Sequence, residues 1–322
     1  MIKVSVVIAV YNVEKFIERC ALSLFKQSLD DVEFIFVNDA SKDNSVEILY
    51  SLQKQYTNLS IKIVSKIKNE GLPKARQTGV ENALGEYVYH VDGDDWIQED
   101  GLKMMYDFAK EHDADILCCG YYKDYGWKEE EFLGKPVTSL SNGIDMMLRS
   151  EEELHSGVWC KLVRRNIYDS VIFPPSYMHE DLALMIQLFY YARNVCYLPC
   201  AFYHYMQTNP DSIIRKDSAR RNQSALINFH FIVDFMKRVG IEQHHRNALE
   251  HRINNFKIHS LYKGRFLDMN LYSESNHSLL SKEYCKSGLQ KIYVFFAMYD
   301  CNFFWLLING SKTIIKRLIG KK

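Results

Sequence analysis

Apolar runs alternate with amphipathic stretches through the first third of the chain. Val4 to Val10 is an apolar run suited to a strand buried on both faces of a parallel sheet. Phe16, Ile17, Cys20, Ala21 and Leu24 then fall on one face of a helix. Glu33 to Val37 is a second strand, and Ser41 is placed to cap a helix carrying Val46, Leu49 and Tyr50. Ile61 to Val64 is a third strand, and Pro73 suits the first turn of a helix running through Ala83. Tyr87 to Val91 and Ile116 to Cys119 complete the series. A βαβαβ order predicts an α/β fold with a mostly parallel sheet and right-handed crossovers.

Beyond Gly120 the rhythm changes. Tyr121 to Val137, rich in Tyr, Trp and acids, reads as strands or a flap over the sheet. Asn142 to Ser150, Trp159 to Tyr168 and Leu182 to Tyr191 read as helices, and Pro174-Pro175 marks a turn. Val195 to Leu198 and Phe202 to Tyr205 read as two strands. From about Asp217 onward the pattern is helical, with Leu226, Phe229, Ile232, Val233 and Met236 forming an apolar stripe.

The 322 residues suffice for one large α/β domain with an appendage, and 47% hydrophobic content supports a substantial core. Lysine plus arginine balances aspartate plus glutamate at 40 each, so no global charge marks nucleic acid as a partner. The eight cysteines form no Cys-x-x-Cys and no zinc quartet, which predicts free, mostly buried thiols in a reducing cytosol. The opening apolar run is too short for a signal peptide, and no segment has the roughly 18 to 20 apolar residues of a membrane-crossing helix. These features predict a cytoplasmic protein. The tail adds aromatic runs at Tyr293 to Met298 and Phe303 to Ile308, then Lys312, Lys316, Arg317, Lys321 and Lys322 without an acid. Such a segment suits the surface of an anionic membrane, which predicts peripheral association at the inner face; packing on its own domain is the alternative.

Chemistry concentrates at predicted strand ends. Tyr11 and Asn12 follow the first strand, Asn38 and Asp39 the second, and Asp92, Gly93, Asp94 and Asp95 the fourth. Lys74 and Arg76 lie just after Asn69-Glu70-Gly71. Strand ends on one edge of a parallel sheet converge on one crevice, so these groups can meet. Clustered carboxylates there suit Mg²⁺ or Mn²⁺ held together with substrate phosphates, although Asp-Gly also makes ordinary turns. No Gly-x-Gly-x-x-Gly follows the first strand and no Gly-x-x-x-x-Gly-Lys-Ser/Thr occurs, which disfavours dinucleotide dehydrogenases and Walker-type NTPases. A metal, a cationic side chain and neither phosphate loop suggest a nucleotide diphosphate held mainly through an ion.

Taken in order, Val4 to Asn12, Val37-Asn38-Asp39-Ala40-Ser41, Asn69-Glu70-Gly71, Ala75-Arg76, Asp92-Gly93-Asp94-Asp95, Trp159-Cys160-Lys161-Leu162 and Glu180-Asp181-Leu182 resemble glycosyltransferase family 2, of the bacterial surface-polysaccharide type. The resemblance covers roughly residues 1–215. It implies a GT-A fold, a Rossmann-like sheet flanked by helices, here with a C-terminal helical extension. It also implies inverting transfer of a sugar from a nucleotide-diphosphate donor, usually UDP-linked, to a hydroxyl of a glycan or lipid-linked acceptor. Tyr11, Asn12, Asp39, Arg76 and Asp92 then fall on the donor side, with Asp39 toward the base. By the same resemblance Asp94 is the better candidate for direct metal contact, with Asp92, Asp95 and His204 as further candidates, and Asp181 occupies the place of the general base. Trp159, Lys161, His179 and Glu180 belong to the acceptor side by the same resemblance. Trp159 has core packing as its alternative, His204 a structural role, and Glu180-Asp181 a helix start.

The expected division is a domain over 1–215, with a nucleotide-binding half at 1–120 and an acceptor half at 121–215, followed by a helical region at 216–322. Two other functions compete. A sugar-1-phosphate nucleotidylyltransferase shares the sheet topology but needs a Gly-rich, Arg-containing loop after its first strand, where Ala9-Val10-Tyr11-Asn12 stands. A non-catalytic scaffold on a membrane assembly would have no need of these carboxylates.

Overall fold

The edge that gathers the polar residues is set by four parallel strands. In the computed structural model β1 (Val4–Val10) lies between β2 (Val32–Asn38) and β4 (Tyr87–Asp92), with β3 (Ser60–Ser65) outside β2. Six of the seven β1 residues are buried, as a β-branched run covered on both faces should be. The helices α1 (Ile17–Phe25), α2 (Ser45–Gln55) and α3 (Leu72–Glu81) form the crossovers. Ile17, Cys20, Ala21 and Leu24 of α1 are buried, the face predicted from their spacing.

Helix α3 lies close on the sheet because Gly79 has no side chain. A Cβ there would come within 2.1 Å of a Val7 methyl carbon of β1. Gly71 begins the helix at φ 90°, a conformation favourable only to glycine, and Pro73 occupies the first turn. Ser41 does not cap α2. Its hydroxyl accepts from the Asn12 amide at 3.2 Å, and Asp43 instead accepts from Ser45 N at 3.1 Å, where the helix begins.

The other half of the sheet is mixed. A two-residue strand β5 (Trp96–Ile97) and helix α4 (Gly101–Glu111) lead into β6 (Ile116–Asp124), a longer strand than predicted, which pairs with the hairpin strand β7 (Glu129–Phe132). Ile116 to Cys119 does not extend the parallel array. The strand β8 (Lys161–Arg164) lies between β4 and β6 and runs antiparallel to both. Trp159 to Tyr168, expected as a helix, thus contains a strand between two short 3₁₀ turns. Helix α5 (Leu140–Arg149) is capped by Ser139, which accepts from Asn142 N, and α6 (Glu180–Tyr191) follows. The last strand, β9 (Val195–Met206), is continuous where two were expected. It runs parallel to β6, with an irregularity at Cys119–Tyr121 that absorbs Pro199, Cys200 and Phe202.

Residues 1–212, 218–262, 270–281, 283–284, 291 and 294–295 are described. The chain divides into two compact units, Met1–Lys216 and Asp217–Lys322. The second contains α7 (Ser218–Arg238) and α8 (Arg246–Tyr262). Leu226, Phe229, Ile232, Val233 and Met236 are buried on α7, as their spacing predicts, and Phe229 packs against Phe256 of α8. The Ser260 hydroxyl donates to buried Asn222 across the pair. Most of the aromatic and basic tail, with Cys285 and Cys301, lies outside the described residues. Among the described residues no helix is long and apolar enough to cross a membrane, and Cys20, Cys118, Cys119, Cys160, Cys196 and Cys200 are free thiols.

Candidate active site

Register brings the strand ends level. Ala9 lies opposite Asp92 and Val10 opposite Asn38, so the loops after β1, β2 and β4 leave the sheet together. Asn12 sits at φ 54° and joins two of these loops, its amide oxygen accepting from Lys42 N at 2.8 Å. Tyr11, beside it, is 44% exposed. Asp39 is buried, and its two oxygens accept from the Glu70 and Gly71 amides at 2.9 and 2.7 Å. That pair of bonds fixes the loop entering α3, and α3 carries Arg76.

Arg76 is the centre of the site. Its guanidinium is buried and donates to three carboxylates from two separate segments. It reaches Asp92 Oδ1 at 2.8 Å, Glu180 Oε1 and Asp181 Oδ1. Burial opposes its charge, but Asp181, Glu180 and Asp92 outweigh it and hold the group firmly protonated. Glu180 and Asp181 form the first turn of α6, where the positive end of the helix dipole favours them. Burial pushes the Glu180 carboxyl well above the ordinary carboxylate range, against the pull of Arg76, and leaves its Oε2 buried without a hydrogen-bond partner. Burial also raises Asp181, again opposed by Arg76, yet 26% of its side-chain surface remains open to solvent. Of the three carboxylates around Arg76, Asp92 and Asp181 therefore combine a charge partner with access.

The acidic turn after β4 divides its labour. Asp95 points inward with no exposure; its oxygens accept from the Tyr203 hydroxyl and from Met206 N, the latter at 2.7 Å. Burial, then Asp94 and Asp92, raise its carboxyl well above the usual range. Tyr203 also accepts from Asp92 N at 3.1 Å, so one phenol ties both ends of the turn to β9. Asp94 accepts from the Asn209 amide at 2.7 Å, and burial with the neighbouring Asp92 charge raises its pKa. Asp92 and Asp94 are thus two hard oxygen donors whose mutual repulsion a divalent cation would relieve, a donor set that fits Mg²⁺ or Mn²⁺. Asp95, fully engaged inside the core, offers no oxygen to such an ion.

Trp159, Lys161 and His204 keep their side chains away from the Arg76 cluster, while His179 borders it. Trp159 is only 3% exposed and packs among Tyr121, His155, Tyr203 and Tyr205, stacking on Tyr203 with centroids 4.6 Å apart. A ring so enclosed has no face for a sugar. Lys161 has no exposure; its ammonium donates to the His155 carbonyl and, at 2.9 Å, to the Gly157 carbonyl, so it clamps the loop before Trp159. His179 adopts the left-handed conformation, φ 57°, immediately before α6, and turns the chain so that Glu180 and Asp181 enter the site. His204 is buried on the opposite face of β9 from Tyr203, stacked on Trp96 at 3.6 Å and beside Asp124 and Glu129 rather than with the acidic turn. Sequence reasoning missed Asn209 and Tyr203 as supports of the turn. The alternation in Phe202-Tyr203-His204-Tyr205 carried a signal, since it puts Tyr203 and His204 on opposite faces.

The comparisons with known proteins agree with this architecture. Residues 5–172, more than half of the chain, match the profile of glycosyl transferase family 2. The glycosyltransferase EpsJ of Bacillus subtilis, which is uncharacterized, is 31% identical over 65% of this chain and 62% of its own length. A cholesterol galactosyltransferase of Borreliella burgdorferi is 30% identical over 62% of this chain and 59% of its own. Among solved structures, Staphylococcus aureus TarS residues 1–349 in complex with UDP-GlcNAc superposes with a TM-score of 0.66 at 21% identity, covering 91% of this chain and 79% of that one. The mannosyltransferase PcManGT of Pyrobaculum calidifontis, in complex with GDP-Man and Mn²⁺, gives 0.52 at 15% identity over 99% of this chain and 88% of that one. The fold is that of the GT-A glycosyltransferases, and the chain belongs to glycosyl transferase family 2.

Proposed function

We propose that this protein transfers a sugar, with inversion, from a UDP-linked donor to a hydroxyl of a glycan or lipid-linked acceptor in surface polysaccharide synthesis. The observation that carries the reading is the convergence of Asp92, Glu180 and Asp181 on Arg76. It joins the acidic turn, where a nucleotide diphosphate would be held, to a partly open carboxylate that can act as a base. Relatives support the class of chemistry: the poly(ribitol-phosphate) beta-N-acetylglucosaminyltransferase TarS is 37% identical over 36% of this chain and 20% of its own length.

Asp181 accepts the proton of the acceptor hydroxyl as that oxygen attacks the anomeric carbon. Glu180 is raised by its deeper burial and faces Arg76, whereas Asp181 keeps the carboxylate surface that an acceptor can reach. Arg76 orients Asp181 and Asp92 together, so base and donor side move as one unit. Asp39 holds the Glu70–Gly71 loop and has lone pairs left over for the N–H of a pyrimidine base. Asp94 and Asp92 are the residues to hold Mg²⁺ or Mn²⁺, which when bound supplies Lewis-acid stabilisation of the departing diphosphate. One base suffices for a single displacement, and no carboxylate nucleophile is required.

A panel of nucleotide-diphosphate sugars, assayed for released nucleoside diphosphate with and without chelator, tests the reading. A UDP-sugar should be turned over, chelation should abolish release, and added Mn²⁺ should restore it. Consumption of a nucleoside triphosphate with pyrophosphate release would replace this reading with nucleotidylyl transfer. No turnover and no donor binding would favour a scaffold.

A further inference from the structure

We propose that Asp124, Glu129 and His204 form a second divalent-metal site, of zinc type, separate from the acidic turn. These residues come from the end of β6, the start of β7 and the end of β9. One ligand atom of each lies within 4.8 Å of the other two. Donors 2.0–2.2 Å from one Zn²⁺ stand at most about 4.4 Å apart, so a small inward movement of Glu129 completes the set. Glu129, on an edge hairpin with 44% of its side chain exposed, is free to make it. Neither Asp92 nor Asp94 belongs to this group.

His204 points to a ligand independently of the acids. It is 1% exposed, and its Nδ1 is buried without a hydrogen bond, although Glu129 Oε1 stands only 3.0 Å away. The surroundings are those of a metal-binding histidine. The Gln98 amide nitrogen lies 3.3 Å from Nε2; turning that amide over would bring its carbonyl to the ring to accept the Nε2 proton and leave Nδ1 for the ion. Trp96 stacks on one ring face and donates from Nε1 to Asp124 Oδ2 at 3.0 Å, while Gly126 N holds the other Asp124 oxygen at 2.7 Å. One imidazole and two carboxylates suit Zn²⁺, with water in the fourth position.

The ion would clasp the β6–β7 hairpin to β9. Two residues after His204 on that strand, Met206 N holds Asp95, and beyond it Asn209 holds Asp94. The clasp would therefore stiffen the backbone behind the acidic turn without entering the transfer reaction, and it does not depend on the sugar-transfer reading.

The test uses the full chain, stripped with chelator, carrying Asp94→Asn so that the acidic turn is disabled. Titration calorimetry with Zn²⁺ alone should show one equivalent bound, and Zn²⁺ should raise the melting temperature. Adding Glu129→Gln should weaken the affinity by about 10- to 100-fold and remove the thermal shift. Asp124→Asn should do the same, with an unchanged chelated melting temperature as the folding control for either variant. No binding in the Asp94→Asn protein, or an isotherm that neither second substitution alters, would overturn the proposal.

Discussion

A single buried guanidinium decides what the carboxylates of this site can do. Without Arg76, Glu180 and Asp181 would be adjacent acids in a nearly closed space, and both would hold their protons. With it, Asp181 carries charge yet remains raised by burial and by the nearby Asp92. A base must be deprotonated to work, so the direction of that shift appears in the rate. The acid limb of kcat/KM should lie above the ordinary aspartate value of 3.8, with activity falling about tenfold per pH unit below it. A pH–rate profile flat down to that value would remove Asp181 from the role. Tyr11, Asn12, Asp39 and Asp92 were legible in the sequence because each follows a strand end, where topology predicts convergence, whereas Glu180 and Asp181 stood out only through the family resemblance. Asn209, Tyr203, Asp124 and Glu129 were not legible, since their partners are supplied by pairing between distant strands.

At the scale of elements, the site depends on how closely α3 lies on β1. Gly79 stands one turn after Arg76 on the buried face, with Val7 filling the space a side chain would need. Gly79→Ala should therefore push the helix outward or displace Val7, costing about 1–3 kcal/mol of stability. It should also lower transferase activity by moving Arg76 away from Asp92. Denaturant unfolding together with the activity assay checks both; a variant as stable and active as the parent would show that the packing is slack. The misread elements share one cause. Short apolar segments such as Lys161–Arg164 do not distinguish strand from helix by period alone. What makes β8 a strand is the open edge offered by β4 and β6. The continuity of β9 likewise depends on the irregularity opposite Gly120, where a Cβ would meet the Phe132 carbonyl oxygen at 2.7 Å.

For the molecule as a whole, the buried groups under the site link stability to pH. His90 is 1% exposed within β4, its Nε2 is 3.1 Å from the Tyr168 hydroxyl, and burial, aided by Arg76, lowers its pKa well below 6.5. The folded protein thus keeps His90 neutral, while the unfolded chain takes up a proton as pH falls through 6.5. Stability is unaffected by this group above that pH and is lost below it, by up to about 1.4 kcal/mol per pH unit. Chemical denaturation between pH 7 and 5 should show that loss, and His90→Asn should flatten the slope. An identical slope in both proteins would assign the acid sensitivity to other groups. The alternating first third of the chain gave the parallel half of the sheet directly, because each strand there is joined to its neighbour through a helix. The mixed half was obscured because its strand order, β4-β8-β6-β9, departs from chain order.

The central claim is that Asp181 takes the proton in sugar transfer while the donor is held by other residues. Steady-state turnover and calorimetric donor affinity, measured on the same samples of parent and Asp181→Asn, test it most directly. Turnover should fall by about 10²- to 10⁴-fold with donor Kd unchanged within a few-fold. Turnover equal to the parent, or a loss fully accounted for by weaker donor binding, would contradict it.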